Sequence, residues 1–332
     1  MTDIYVTRHG TYLHKEGDTL LVKFKGETLA RIPFKDIDSL QLFGNVQFST
    51  QFLLEMLKRN VSFSFYTQKG NLLGQALPPF PKNIDLRVQQ VNLQKDEKFR
   101  LDISKQIVFS KIIFSIKLLE DAQINHPELV FKDKLSALKK WKQKVLQAED
   151  IASLMGFEGS FASAYYPCYK KLFPSEDLFK GRSRRPPKDE GNAILSFLSV
   201  LVSNRLGSLI EGKGLDPYLG YLHGTRYGRK SLSFDLVEPL RPLFCERVTV
   251  KLFTLKILQK EDFESVKGGG VYLKQSSQLK FLRFYNEEIK AERNYKLITG
   301  NLDELIYYLS DWLKSCIKKG VVERLNLNLN KS

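Results

Sequence analysis

The chain has 332 residues, 42% of them hydrophobic and 27% charged, which carries a buried core, suggests two domains and excludes a wholly disordered protein. Lys and Arg number 52 against 37 Asp and Glu for a net charge of +15, with only 10 of the cations and 7 of the acids in residues 1–82, so an excess of 12 falls beyond them. No run of about 18 apolar residues stands out, and the start, MTDIYVTRHG, has no apolar signal core, so a cytoplasmic chain without a membrane span is expected. In chain order, TYLHKEGDTLLVKFKGETLARIPF (residues 11–34) reads as three short strands turned at EGD and KGE. IDSLQLFG (37–44) is a further strand. STQFLLEMLKRN (49–60) then switches to helical period with Ser49 or Thr50 as N-cap, and VSFSFYTQKGNLLGQAL (61–77) returns to strand, turn, strand. PPFP (78–81) stops the pattern and marks a linker. Beyond it the period is helical, as in RLDISKQIVFSKIIFSIKLLED (100–121) and ELIYYLSDWLKSCIKK (304–319), and LNLNLNKS (325–332) is a short strand or a frayed tail. The predicted class is α+β: a β-rich domain over 1–80, where dimerisation is expected, a linker over 81–92, and a larger all-helical catalytic domain over 93–332.

Cys168, Cys245 and Cys316 are odd in number and widely spaced, which excludes a disulfide framework and a cysteine-based zinc site. Four histidines exclude a histidine-rich cage. The basic excess suits an anionic polymer such as nucleic acid, although charge alone fits a merely soluble basic protein equally well.

Two segments carry residues that could do chemistry. In EDIASLMGFEGSFASAYYPCYKKLF (149–173), Glu158 shares a helix side with Ala162, Tyr165 and Tyr166, and no lysine four residues on offers it a partner. On that stretch alone it is either an ordinary helix glutamate or a functional one. In GYLHGTRYGRKSLSFDLVEPLRP (220–242), His223 precedes a basic turn, and Asp235 and Glu238 stand three apart, on one face of any helix they form. A lone histidine is more often structural than a ligand, but an imidazole with carboxylates suits a hard divalent ion, Mg²⁺ or Mn²⁺. Arg226, Arg229 and Lys230 could hold phosphates beside it, the combination that phosphodiester chemistry requires.

These segments resemble a known family. GLDPYLGYLHGTRYGRKSLSFDLVEPLRP (214–242) is similar to the signature segment of the CRISPR-associated integrase, the catalytic subunit of spacer acquisition. GFEGSFASAYY (156–166) resembles that family's first metal-ligand helix, RSRRPPKDEGNAILSFLSVLV (182–202) the basic Pro-Pro segment and helix between the two, and GGGVYLKQSSQLKFLRFYNEEI (268–289) its late strand-helix segment. The order is right over roughly residues 150–290. The resemblance implies a β-rich N-terminal domain, a helical catalytic domain and a metal-dependent DNA endonuclease/integrase that joins 3′-hydroxyl ends of short DNA into a repeat array. It places the metal ligands at Glu158, His223 and Glu238, with Asp235 as a supporting acid, and Arg184, Arg185 and Lys188 near DNA. The third ligand is aspartate in some members and glutamate here, and DEG stands before the Asn-Ala pair where Asp-Pro is common. Implied partners are double-stranded and branched DNA, a second copy of the chain as a homodimer, and a small dimeric ferredoxin-like CRISPR-associated protein. A structure-specific metal nuclease would use the same site. A non-catalytic DNA-binding assembly subunit would be expected to have lost one ligand type.

Overall fold

The computed structural model describes residues 2–59, 61–68, 72–76, 83–129, 131–183, 186–266, 268–294 and 299–325. They divide into two units, Met1–Phe80 with Leu273–Asn286, and Pro81–Tyr272 with Glu287–Ser332.

In the first unit, strands β1 (Thr2–Val6), β2 (Thr11–Glu16), β3 (Thr19–Phe24), β4 (Glu27–Pro33), β5 (Ile37–Phe43) and β6 (Gln47–Phe48) precede helix α1 (Thr50–Lys58) and strands β7 (Ser62–Tyr66) and β8 (Leu72–Ala76). They form two four-stranded sheets, ordered β4-β3-β2-β6 and β1-β5-β7-β8. Two-residue turns connect β2 to β3 and β3 to β4, as the EGD and KGE signals predict. Lys25 and Gly26 both take positive φ, 51° and 86°, the twist that a right-handed hairpin requires of a two-residue loop. Ser49 is the N-cap of α1, its side chain accepting from the Phe52 amide at 3.3 Å. Leu13, Leu20, Leu40, Leu42, Phe52, Met56 and Phe63 meet in the core. PPFP lies outside the described residues.

The second unit is built from α2 (Ile84–Lys95), α3 (Glu97–Asn125), α4 (Lys132–Lys139), α5 (Trp141–Leu146), α6 (Ile151–Lys170), α7 (Glu190–Gly212), α8 (Ser231–Leu240), a π-helical turn at Arg241–Glu246, and α9 (Arg247–Thr254). After these come β9 (Phe263–Val266) and β10 (Gly270–Leu273), then α10 (Gln275–Lys290), most of which belongs to the first unit, and finally β11 (Arg293–Asn294), β12 (Thr299–Gly300) and α11 (Leu302–Lys319). Two expectations need correction. Most of the linker expected over 81–92 is helix: Asn83 caps α2 by accepting from the Leu86 amide at 3.2 Å, and buried Gln90 exchanges two hydrogen bonds with the Asp216 backbone, at 2.8 and 2.9 Å. The larger unit is mostly, not wholly, helical, since β9 pairs with β10 and β11 with β12.

The 29-residue α3 packs against α5, α6, α8 and the π-turn, and α7 covers another side of α8. Contrary to the expectation from the sequence, α7 is long and apolar enough to cross a membrane by length and composition, with a mean hydropathy of 1.6 over its most apolar window. Of that window 67% is buried, the pattern of a core helix. Pro239 and Pro242 each remove a helical N–H donor, and the chain widens into the π-turn at these residues before resuming as α9.

Candidate metal and phosphodiester site

Helix α6 begins at a capping box: the Asp150 carboxylate accepts from the Ser153 amide at 2.7 Å, and Ser153 Oγ accepts from the Asp150 amide at 3.3 Å. From this start the helix turns Leu154, Phe161, Tyr165 and Tyr169 into the core, with Glu158 at the margin of the same face. Helix α8 is buried nearly all round, and Asp235 and Glu238 are enclosed at 0% and 2% exposure.

Both glutamates meet one cation. Lys111, on α3, donates from Nζ to Glu158 Oε1 and to Glu238 Oε2, the latter at 2.7 Å. The other Glu238 oxygen, Oε1, accepts from Arg241 Nε at 3.0 Å, and Arg241 Nη1 donates to Ser199 Oγ on α7 at 2.9 Å. Burial opposes the charge on Glu238, but Arg241, Lys111 and His223 outweigh it and hold the carboxyl well below its usual range. Burial likewise works against the Lys111 ammonium, and the charges of Glu238 and Glu158 raise its pKa above the ordinary lysine value regardless. Glu238 and Lys111 are therefore both charged at neutral pH.

Asp235 plays a different part from Glu238 one turn later. Its Oδ2 accepts from the amides of Tyr221 and Leu222 at 2.7 and 2.9 Å. Its Oδ1 accepts from the His223 amide at 3.2 Å and meets the imidazole Nδ1 at 2.6 Å. With Nδ1 committed to a carboxylate, the ring offers Nε2 to a ligand. Gly220 makes the close approach possible: a Cβ there would stand 2.6 Å from Ser231 Cβ and 3.1 Å from Asp235 Oδ2.

The expected ligand positions are thus brought together in part. Glu158 and Glu238 converge through Lys111, and His223 is near enough to Glu238 to act on its charge. Among the described residues no three His, Cys, Asp or Glu side chains close on a single point as a metal cluster, because the Lys111 ammonium stands between the two glutamates. The donor set nevertheless fits a hard divalent ion. Two carboxylate oxygens from separate helices already satisfy one cationic centre, and an imidazole in a carboxylate-fixed orientation lies within electrostatic reach of Glu238.

Of the predicted DNA-contacting residues, Arg184 and Arg185 lie outside the described residues. Lys188 and Arg226 are exposed. Arg229 lies over the Phe234 ring at 5.0 Å, and Lys230 turns inward to Glu211 Oε1 at 2.8 Å, where the α7 carboxylate would otherwise be buried without that cation.

Sequence reasoning missed Lys111, Arg241 and Glu246. Lys111 leaves a trace, a lone cation inside the apolar run IVFSKIIFSI. Glu246, 1% exposed at the end of the π-turn, accepts from the Tyr165 hydroxyl at 2.6 Å and the Tyr166 hydroxyl at 3.3 Å, while its backbone carbonyl accepts from Tyr169 at 3.0 Å. Burial pushes the Glu246 carboxyl above its usual value against the opposing pull of Tyr165, Lys111 and Arg241. The same burial pushes the Tyr166 hydroxyl up to about 12.

A protein from Rhodospirillum rubrum named CRISPR-associated endonuclease Cas1 2 is 31% identical over 309 residues, covering 90% of this chain and 89% of that protein. The fold is shared with a casposase bound to integration product, with a TM-score of 0.85 at 22% identity over 100% of this chain and 94% of that one. It is shared also with a chain of a Cas6-RT-Cas1–Cas2 complex, with a TM-score of 0.79 at 21% identity over 98% of this chain and 36% of that one. The family described as CRISPR associated protein Cas1 matches residues 4–287, and the chain belongs to that family.

Proposed function

We propose that this protein is a divalent-metal-dependent DNA endonuclease and integrase of CRISPR adaptation, with Glu158, His223 and Glu238 as the ligands of Mg²⁺ or Mn²⁺. The observation that carries the reading is the convergence of Glu158 and Glu238, 80 residues apart in sequence, on one cationic centre, with an imidazole fixed by Asp235 within electrostatic reach of Glu238. A related protein is named an endonuclease, and the shared fold includes a protein bound to an integration product. All three ligand types are retained, which disfavours a non-catalytic assembly subunit.

When bound, a divalent ion would supply charge neutralisation at the phosphate and at the attacking and leaving oxygens. The chain's own residues do the rest. Glu158 and Glu238 present hard oxygens, Asp235 sets the imidazole tautomer, and Arg241 keeps Glu238 ionised and oriented. In strand transfer, a DNA 3′-hydroxyl oxygen forms a bond to phosphorus as it loses its proton, and the target strand's P–O3′ bond breaks, releasing a new 3′-hydroxyl. In hydrolysis, water replaces the attacking hydroxyl. No covalent protein nucleophile takes part, so Tyr165 and Cys168 have no chemical step. The reading includes double-stranded and branched DNA as substrates, a homodimer, and a small ferredoxin-like partner protein.

The test is a strand-transfer assay on a repeat-containing target with labelled duplexes that end in a 3′-hydroxyl or a blocked 3′ end, with and without Mg²⁺ or Mn²⁺. Joining confined to the hydroxyl end is expected from the integrase, and cleavage without joining would assign a nuclease instead. His223→Ala should stay folded at the assay temperature, with some loss of melting temperature from the missing Asp235 contact, and keep its DNA affinity while strand transfer is lost. A folded His223→Ala protein that joins ends at the wild-type rate would remove His223 from the site.

A further inference from the structure

The segment between His223 and α8 has a fixed stem and a projecting tip. Asp235 holds three successive amides at 221–223, Arg100 Nε donates to the Tyr221 carbonyl at 2.7 Å, and Gln94 Nε2 donates to that of Gly220 at 3.3 Å. On the return side, the Ser231 amide donates to the Arg229 carbonyl at 2.8 Å and the Leu232 amide to the Pro217 carbonyl at 2.9 Å. Between these anchors Arg226 and Arg229 face each other as an isolated antiparallel bridge, closed by an Arg229 amide bond to the Arg226 carbonyl at 3.1 Å. The two corner residues are Tyr227 and Gly228, and the φ of +71° at Gly228 is the left-handed value that a type II turn reserves for glycine.

Tyr227 therefore stands at the apex of a tight turn with its ring entirely in solvent, at 107% relative exposure. Tyr165, Tyr169 and Tyr221 of this unit are buried and even its exposed Tyr218 and Tyr307 keep about half of their surface covered, whereas an aromatic at full exposure gains nothing for the fold. Its setting is cationic, with Arg226 exposed beside it and an excess of 12 positive charges beyond residue 82. Four residues separate it from His223, a reach of at most about 14 Å in an extended chain. At 3.4 Å per nucleotide along one strand, that places the ring within about four nucleotides of a phosphate at the His223 site.

From this geometry we propose that Tyr227 is a base-stacking residue, a binding element that takes the face of an unpaired nucleobase at the DNA end or junction presented to the site. The inference rests on the DNA reading above. An unpaired base suits it because bases within a duplex already stack on each other, whereas an end or overhang offers a free face. Arg226 supplies the adjacent phosphate contact. A turn held at its base and free at its tip presents the ring without an ordering cost, since the stem is fixed before DNA arrives.

The experiment measures binding by fluorescence anisotropy in EDTA, so that no DNA is cut, with a blunt duplex and with the same duplex carrying a short unpaired 3′ overhang. Wild type, Tyr227→Ala, Tyr227→Phe and Tyr227→Trp are compared. For Tyr227→Ala the expected result is a loss of about 5- to 150-fold on the overhang DNA with little change on the blunt duplex, and Tyr227→Phe restores binding. In Tyr227→Trp, indole emission above the background of Trp141 and Trp312 should be quenched by the overhang DNA and not by the blunt duplex. Equal binding of both DNAs by wild type and Tyr227→Ala overturns the proposal and leaves the DNA reading standing; so does an equal loss on both DNAs. A wild-type protein that binds neither DNA overturns both.

Discussion

Replacing Lys111 by methionine keeps the unbranched apolar stem, one atom shorter, and removes its charge from the centre of the site. The Lys111 side chain is 6% exposed, and its ammonium is shared by Glu158 and Glu238. Breaking a buried ion pair by removing one partner costs about 3–5 kcal/mol, because the remaining charge stays buried. Two features place this variant toward the lower end: Glu238 keeps Arg241 at 3.0 Å, and Glu158, at 22% exposure, recovers part of its hydration. For a unit of this size, about 3 kcal/mol corresponds to roughly 6–12 °C in melting temperature. Thermal melts of wild type and Lys111→Met in EDTA at pH 7 would show the loss. Adding Glu158→Gln should return part of it, because the second substitution removes one of the stranded carboxylates. Mg²⁺ or Mn²⁺ should raise the melting temperature of Lys111→Met more than that of wild type, since a divalent ion can then meet both carboxylates without displacing a cation. A Lys111→Met protein that melts within about 1 °C of wild type would refute the claim that the ammonium holds the pair together.

Asp235→Ala should melt well below wild type, because three buried backbone amides and the imidazole lose their common acceptor, each such group costing about 1–3 kcal/mol when unsatisfied. This makes Asp235 more than an accessory to the ligands, and circular-dichroism melts check it. Glu246 gives a pH signature: with its folded-state pKa raised by burial, its favourable contribution is full below the unfolded value near 4.5 and is lost as pH rises through the folded value. The melting temperature of Glu246→Gln relative to wild type should therefore climb with pH over that range, and a flat or falling difference would contradict the burial argument. Cys168, Cys245 and Cys316 are buried free thiols, and burial pushes that of Cys245 up to about 12, so the native protein should resist a thiol reagent until it unfolds. DNA affinity should fall by about 10³- to 10⁵-fold between 50 and 200 mM salt if 6–10 phosphates are contacted, and a flat response would count against binding through the basic surface.

The parts of the fold governed by local rules were legible in the sequence. Gly17 and Gly26 mark the hairpins because only glycine takes those turns without strain, Ser49 caps α1 as its hydroxyl predicts, and the periodic run at 100–121 is the heart of α3. Helix α2 was hidden because the polar-rich IDLRVQQVNLQK carries no clean apolar stripe, and its docking depends on Gln90 reaching the Asp216 backbone 126 residues away. The same division runs through the site. Asp235 and Glu238 could be placed on one helix face from their spacing, but spacing could not say that one would be spent on four hydrogen bonds and the other on two cations. That assignment comes from what α8 packs against: the 220–223 backbone on the side of Asp235, and α3 with Arg241 on the side of Glu238. Lys111 is the clearest case. In sequence it interrupts an apolar run, a cation with no acid within helical reach, which read alone argues against burial. It is buried because α3 passes between α6 and α8, and each contributes one carboxylate to it. A lysine that violates its local pattern, a glutamate that lacks a local partner and a second whose local cation, Arg241, occupies only one of its oxygens are then one feature, recognisable in sequence only by asking which charges must find each other in the fold.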